Sequence, residues 1–139
     1  MKKKRELTYM VRKRSLRGED RWVAGLRLQE RRTFQSVCTK LSKQSSAQPG
    51  EVSGVLRSFL EQIRFHVLNG ESVTIEGFGT FYPKLTTKMV ATAEEATVRN
   101  CVKSATIGFR PTRTMLRMVQ EASLKEFVPS KNNYNKRKD

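Results

Sequence analysis

Between Asn69 and Lys84 the chain reads NGESVTIEGFGTFYPK. Val73 and Ile75 alternate with polar residues, the period of a half-buried strand, and a second strand-like run begins at Phe81. Gly77 and Gly79 bracket Phe78 at the turn between them. Two strands joined this closely pair antiparallel, so the stretch commits the chain to an antiparallel sheet. Phe78 and Phe81 are large apolar groups beside a turn, which reads as core. Taken alone, the stretch is either a plain hairpin or one part of a specific scaffold, and the flanking residues decide.

Upstream lie two helical patterns. Thr33 is a candidate N-cap, and Phe34, Val37, Cys38 and Leu41 follow at helical spacing. The run KQSSAQPG interrupts the pattern. A second helix begins near Pro49, a residue tolerated in the first turn because its missing N–H has no partner there. Val52, Val55, Leu56, Phe59, Leu60, Ile63 and Val67 form an apolar stripe wide enough to cover more than one neighbour. Asn69-Gly70 closes it, since glycine accepts the left-handed cap conformation. Cys38 falls on the apolar face of the first helix and is expected to be a buried thiol.

Downstream, residues 86–100 are small and polar. Strand character returns in CVKSATIGFRP through Val102 and Ile107. A last helix is expected after Pro111, with Thr112 as its cap and Met115, Val119 and Ala122 on one face. At the other end, Leu7, Tyr9 and Val11 alternate, and so do Trp22, Ala24, Leu26 and Leu28. With SLRGED between them, these runs read as a β-hairpin.

Charge is spread unevenly. The chain of 139 residues carries a formal net charge of +15. Residues 1–33 hold 12 basic and 4 acidic side chains, whereas residues 34–85 hold 5 and 4. The middle thus reads as packed scaffold, and the ends as electrostatic equipment for a polyanionic partner. Only 37% of residues are hydrophobic, a thin core of the kind that oligomerisation completes.

Chemistry beyond binding finds little support. Cys38 and Cys101 form no CxxC motif and have no nearby histidine for zinc. No nucleophile-and-base constellation, phosphate loop or carboxylate pair at catalytic spacing stands out. An enzyme is not expected, nor a cofactor or metal. No apolar run follows the basic start and none is long enough to span a bilayer, so the expectation is a cytoplasmic protein with reduced thiols.

Helix, helix, strand, Gly-Phe-Gly-Thr-Phe, strand, arm, strand, Phe109-Arg110-Pro111, helix: this order resembles the HU and integration-host-factor family of bacterial histone-like proteins. The match runs from about Phe34 to Glu121. The added N-terminal hairpin resembles the extended HU-like branch of Bacteroides-type bacteria. The resemblance implies an α+β, HU-like fold: a helical hairpin base, an antiparallel β-sheet with an extended arm, and a C-terminal helix. It further implies an intertwined homodimer that binds double-stranded DNA with little sequence preference, at the nucleoid. The organisation expected is a basic extension over 1–33, an HU-like domain over 34–128 with its arm at about 84–104, and a basic disordered tail over 129–139.

By the same resemblance, Arg113 occupies the basic position after Phe-x-Pro and is the first candidate for a phosphate contact. Arg110 and Arg117 flank it, and Lys88, Arg99 and Lys103 are the basic residues of the arm. Lys2, Lys3, Lys4, Arg5, Arg12, Lys13 and Arg14 form the densest basic cluster and are expected to share the arm's work. The chain departs from the family at the arm tip. Family arms carry Arg-Asn-Pro there, with proline as a wedge between base steps; this chain has ATAEEATV, with Glu94 and Glu95 at that distance. Weaker kinking of DNA is therefore expected. Two other readings stay open: a protein-interaction module that keeps the fold for dimerisation, and a binder of structured RNA.

Overall fold

The computed structural model describes residues 5–129. Lys2, Lys3, Lys4 and the tail from residue 130 onward lie outside the described residues. In chain order the elements are β1 (Glu6–Leu16), β2 (Glu19–Leu26), α1 (Phe34–Gln44), α2 (Pro49–Leu68), β3 (Val73–Ile75) and β4 (Gly79–Thr87). Then come α3 (Val98–Cys101), β5 (Val102–Pro111), α4 (Arg113–Gln120) and β6 (Ser123–Glu126). They fall into two compact units: Thr33–Met118 is one, and the described residues before and after it form the other.

In the terminal unit, β1 and β2 pair antiparallel from Tyr9↔Leu26 to Leu16↔Glu19. The expected polar loop contracts to a two-residue turn, Arg17-Gly18, with φ of 53° and 81°. Positive φ at both central residues matches the right-handed twist of the strands, so the ladder can run up to the turn itself. A third strand, β6, pairs parallel with β1, giving the order β2-β1-β6. The Ser123 backbone N–H and hydroxyl both donate to the Arg5 carbonyl, at 3.0 and 3.1 Å. The sequence pattern holds no sign of β6, because four residues are too few for a readable period.

In the central unit, α1 and α2 form the expected helical hairpin. Thr33 caps α1 reciprocally: the Ser36 N–H donates to Thr33 Oγ1 at 3.2 Å, and the Thr33 N–H donates to Ser36 Oγ at 3.1 Å. Pro49 opens α2, and Gly70, at φ 81°, follows its end. β3, β4 and β5 make an antiparallel sheet in that order. On its apolar side Phe109 packs against Phe78 and Phe81, with ring centroids 5.1 and 4.9 Å apart. Gly79 makes room for that cluster, since a β-carbon there would stand 2.5 Å from the Phe109 ring.

Among the described residues only Cys38 and Ile63 are buried hydrophobics. The wide stripe of α2 is half used: Val55 stays 70% exposed and Phe59 44%. The arm also differs from an extended ribbon. Its ladder stops at Thr87↔Val102, and residues 88–101 close into a folded loop containing α3.

Candidate nucleic-acid interface

Side chains alternate across a strand, so the register of the central sheet sorts its residues into two faces. Phe81, Pro83 and Leu85 on β4 share a face with Phe109, Ile107 and Ala105 on β5. The opposite face carries Thr80, Tyr82, Lys84 and Thr86 against Arg110, Gly108, Thr106 and Ser104. It is polar and cationic. Arg110 lies over the Tyr82 ring, 5.1 Å from its centroid, and the hydroxyls of Thr74 and Thr80 are hydrogen-bonded at 2.9 Å. A guanidinium stacked on an aromatic keeps its charge and its donors while losing conformational freedom.

Thr112 anchors the next element. Its N–H donates to the Phe78 carbonyl at 2.9 Å, and its hydroxyl accepts from the Met115 N–H at 3.2 Å. This double hold starts α4 at the end of β5, one residue after the strand that carries Arg110. Arg113 and Arg117 are four residues apart, one helical turn, and lie on a common stripe.

The arm loop is pinned at its base, where the Lys88 N–H donates to the Cys101 carbonyl at 2.8 Å. The Glu95 carbonyl accepts from Asn100 Nδ2 at 3.2 Å and from the Cys101 thiol at 3.8 Å. Glu94 and Glu95 sit in the turn, exposed. Lys103 falls at an irregularity: Thr86 pairs with Ser104 and Thr87 with Val102, which leaves Lys103 as the extra residue. A bulge of this kind re-aims a side chain away from the ladder. Lys88 and Arg99 are exposed in the loop.

The N-terminal basic cluster divides. Arg12 and Arg14 lie on one face of β1, while Lys13 lies on the other and forms an ion pair with Asp20 at 2.6 Å. On the Arg12 face, Arg14 stands directly across from Arg21. Arg21 is itself paired with Glu19, two residues before it on the same face, at 2.9 Å, which offsets the like charge at that rung. Arg5 offers its carbonyl to Ser123 and leaves its side chain exposed. Sequence reasoning passed over Lys84 and Arg21; the alternation running from Tyr82 and from Trp22 was the signal that would have found them.

The chain matches the family described as HU-HIG, an HU domain fused to wHTH, Ig, or Glycine-rich motif, over residues 6–126. No curated protein matches it. Among solved structures it is similar to a protein of Bacteroides vulgatus ATCC 8482 proposed to be a bacterial DNA-binding protein. The identity is 12% and the TM-score 0.63, over 93% of this chain and 52% of that one. This chain therefore spans about half the length of that relative. It is also similar to Anabaena HU, solved as a cocrystal with DNA, at 18% identity and TM-score 0.51, over 65% of this chain and 99% of that one. An HU mutant from Thermotoga maritima matches at 20% identity and TM-score 0.49, over 63% of this chain and 99% of that one. At such identities the likeness to the Bacteroides vulgatus and Anabaena structures is one of fold.

Proposed function

As the chain belongs to the HU-HIG family of HU domains fused to wHTH, Ig, or Glycine-rich motifs, we propose that it is an architectural protein that binds double-stranded DNA through phosphate contacts, with little sequence preference. One observation carries the reading: the central sheet segregates an apolar face from a cationic one, on which Arg110 is stacked on Tyr82 beside Lys84. The solved Anabaena relative, an HU–DNA cocrystal, supports the same ligand. Arg113 and Arg117 on α4, and Lys88, Arg99 and Lys103 on the arm, add phosphate partners. Arg5, Arg12 and Arg14, together with Lys2, Lys3 and Lys4, extend the footprint. Lys13, engaged by Asp20, contributes least.

The working form is a homodimer with intertwined helical bases. Its support is the α2 stripe: Val55, Phe59 and Leu60 remain substantially exposed in one copy. Full burial of an exposed apolar side chain stabilises by about 1.5–3 kcal/mol, and by correspondingly less for Phe59 and Leu60, which are already more than half covered. The HU-like domain begins at residue 34 in this reading and runs to 128, and 1–33 form a basic extension whose sheet borrows Ser123–Glu126 from the end of that domain. Such a protein works at the nucleoid by holding DNA bends and not by catalysis. With carboxylates at the arm tip it kinks DNA less than arms that end in a proline wedge.

The test is a gel-shift titration with a short duplex of arbitrary sequence across a range of salt. Retention at low salt that falls linearly on a log–log plot as salt rises is expected. Absence of retention at low salt, or affinity indifferent to salt, sinks the reading. Sedimentation equilibrium of the chain and of a Val55→Glu variant tests the dimer.

A further inference from the structure

The sheet of the terminal unit is one layer thick, and its two faces differ. Arg12, Arg14 and Arg21 share one face. The other gathers Tyr9, Val11, Trp22, Ala24, Leu26 and Leu124. On that second face Trp22 is 70% exposed, Leu124 68%, Leu26 51% and Val11 43%. An apolar sheet face left open in this way is a surface that another layer covers.

Charge decides which layer. On a chain of net charge +15, two copies repel over most of their surfaces. This face is the exception. Its one base, Lys13, lies against Asp20 in a pair more than half exposed, so its ammonium can share a second carboxylate, and Glu126 at the far end has no ion pair with a described residue. Lys13 and Glu126 lie on either side of the Val11–Ala24 rung, since Glu126 is level with Tyr9.

We propose that this face stacks on the same face of a second copy, with a twofold axis lying along the Val11–Ala24 rung. Such an axis reverses strand direction and keeps strand order. It carries the Lys13 of each copy toward the Tyr9 level of the other, beside Glu126. It sets Trp22 over the partner's Leu26 rung, and the small Ala24 at the axis leaves room for the large side chains on either side. Sheets stacked face to face lie about 10 Å apart, within reach of a lysine side chain. The arginine faces then point outward on both sides. The contact is separate from the proposed helical dimer, which is made through α2.

Trp22 is the single tryptophan of the chain, so its fluorescence reports on this face alone. Acrylamide quenching and sedimentation equilibrium are measured on the full chain over a wide concentration range. The same is done for Val11→Lys, which charges the centre of the contact, and for Glu126→Lys, which sets like charges against Lys13. Circular dichroism checks that each variant folds. Wild type is expected to lose quenching as concentration rises and to reach at least twice the mass of either variant, with assembly running beyond a pair wherever the helical dimer also forms. Equal masses for wild type and both variants overturn the stacking, as does a Trp22 that stays fully quenchable at every concentration. Protection of Trp22 without a change in mass overturns it too, and assigns the face to another part of the same chain.

Discussion

Tyr82 and Gly108 face each other across β4 and β5, and the tyrosine ring occupies the space that a β-carbon on Gly108 would need: such a carbon would stand 2.5 Å from Tyr82 Cζ. The ring in turn supports the Arg110 guanidinium at 5.1 Å. A glycine with no active chemistry thus sets the position of a candidate phosphate contact.

Gly108→Ala is accordingly expected to push the Tyr82 ring aside, at a cost of about 1–3 kcal/mol of stability. It should also weaken duplex binding by freeing Arg110. Urea denaturation and a gel shift on the same variant check both parts. Gly79→Ala is expected to cost at least as much stability, because its β-carbon meets the Arg110 backbone carbonyl at 2.6 Å, and backbone yields less than a ring. A Gly108→Ala variant with unchanged affinity would separate the stack from binding.

Arg110→Ala and Lys84→Ala, each on the polar sheet face, are expected to lower affinity for all duplex sequences alike. Each should flatten the log K against log salt slope by about 1. Lys13→Ala is expected to change the slope little, since its ammonium is already engaged by Asp20 on the opposite side of β1 from Arg12. Fluorescence anisotropy across a salt series measures all three slopes.

Glu94 and Glu95 stand exposed at the turn of the arm loop. Replacing both with glutamine removes two negative charges near the expected path of DNA. Affinity for duplex should rise at low ionic strength, and the gain should shrink as the Debye length falls to about 8 Å at physiological salt. An unchanged affinity at low salt would show that the arm tip stays clear of the DNA backbone.

Arg17 is the one described non-glycine residue at positive φ, at 53° in the turn between β1 and β2. Asparagine accepts this conformation more readily and favours the same turn type. Arg17→Asn should raise stability by about 0.5–1 kcal/mol relative to the strained arginine. Thermal unfolding followed by far-ultraviolet circular dichroism reads the change.

What the sequence shows well is what neighbouring residues decide. The Thr33 cap, Pro49 at the start of α2 and Gly70 after its end depend on contacts within a few residues, and all three stand where the pattern puts them. The two faces of β4 and β5 follow from their paired register, which places Lys84 beside Tyr82 on the polar side. Continued by two residues, the alternation of Leu7, Tyr9 and Val11 puts Lys13 on the opposite face from Arg12 and Arg14.

By itself, then, the amino-acid order determined the helical hairpin, the antiparallel central sheet, the N-terminal hairpin and the strongly basic character of the chain. All of these arise from local periodicity, turn chemistry and composition. Only the tertiary structure decided that Ser123–Glu126 returns to β1, where Ser123 meets Arg5 across 118 positions of sequence. It also decided that Tyr82 carries Arg110, and that the arm closes into a loop through Lys88 and Cys101. These contacts join residues far apart in the chain, and four-residue strands and single cross-strand pairs are too short to leave a period. Their stability comes from the partner surface, which exists only once the chain has folded.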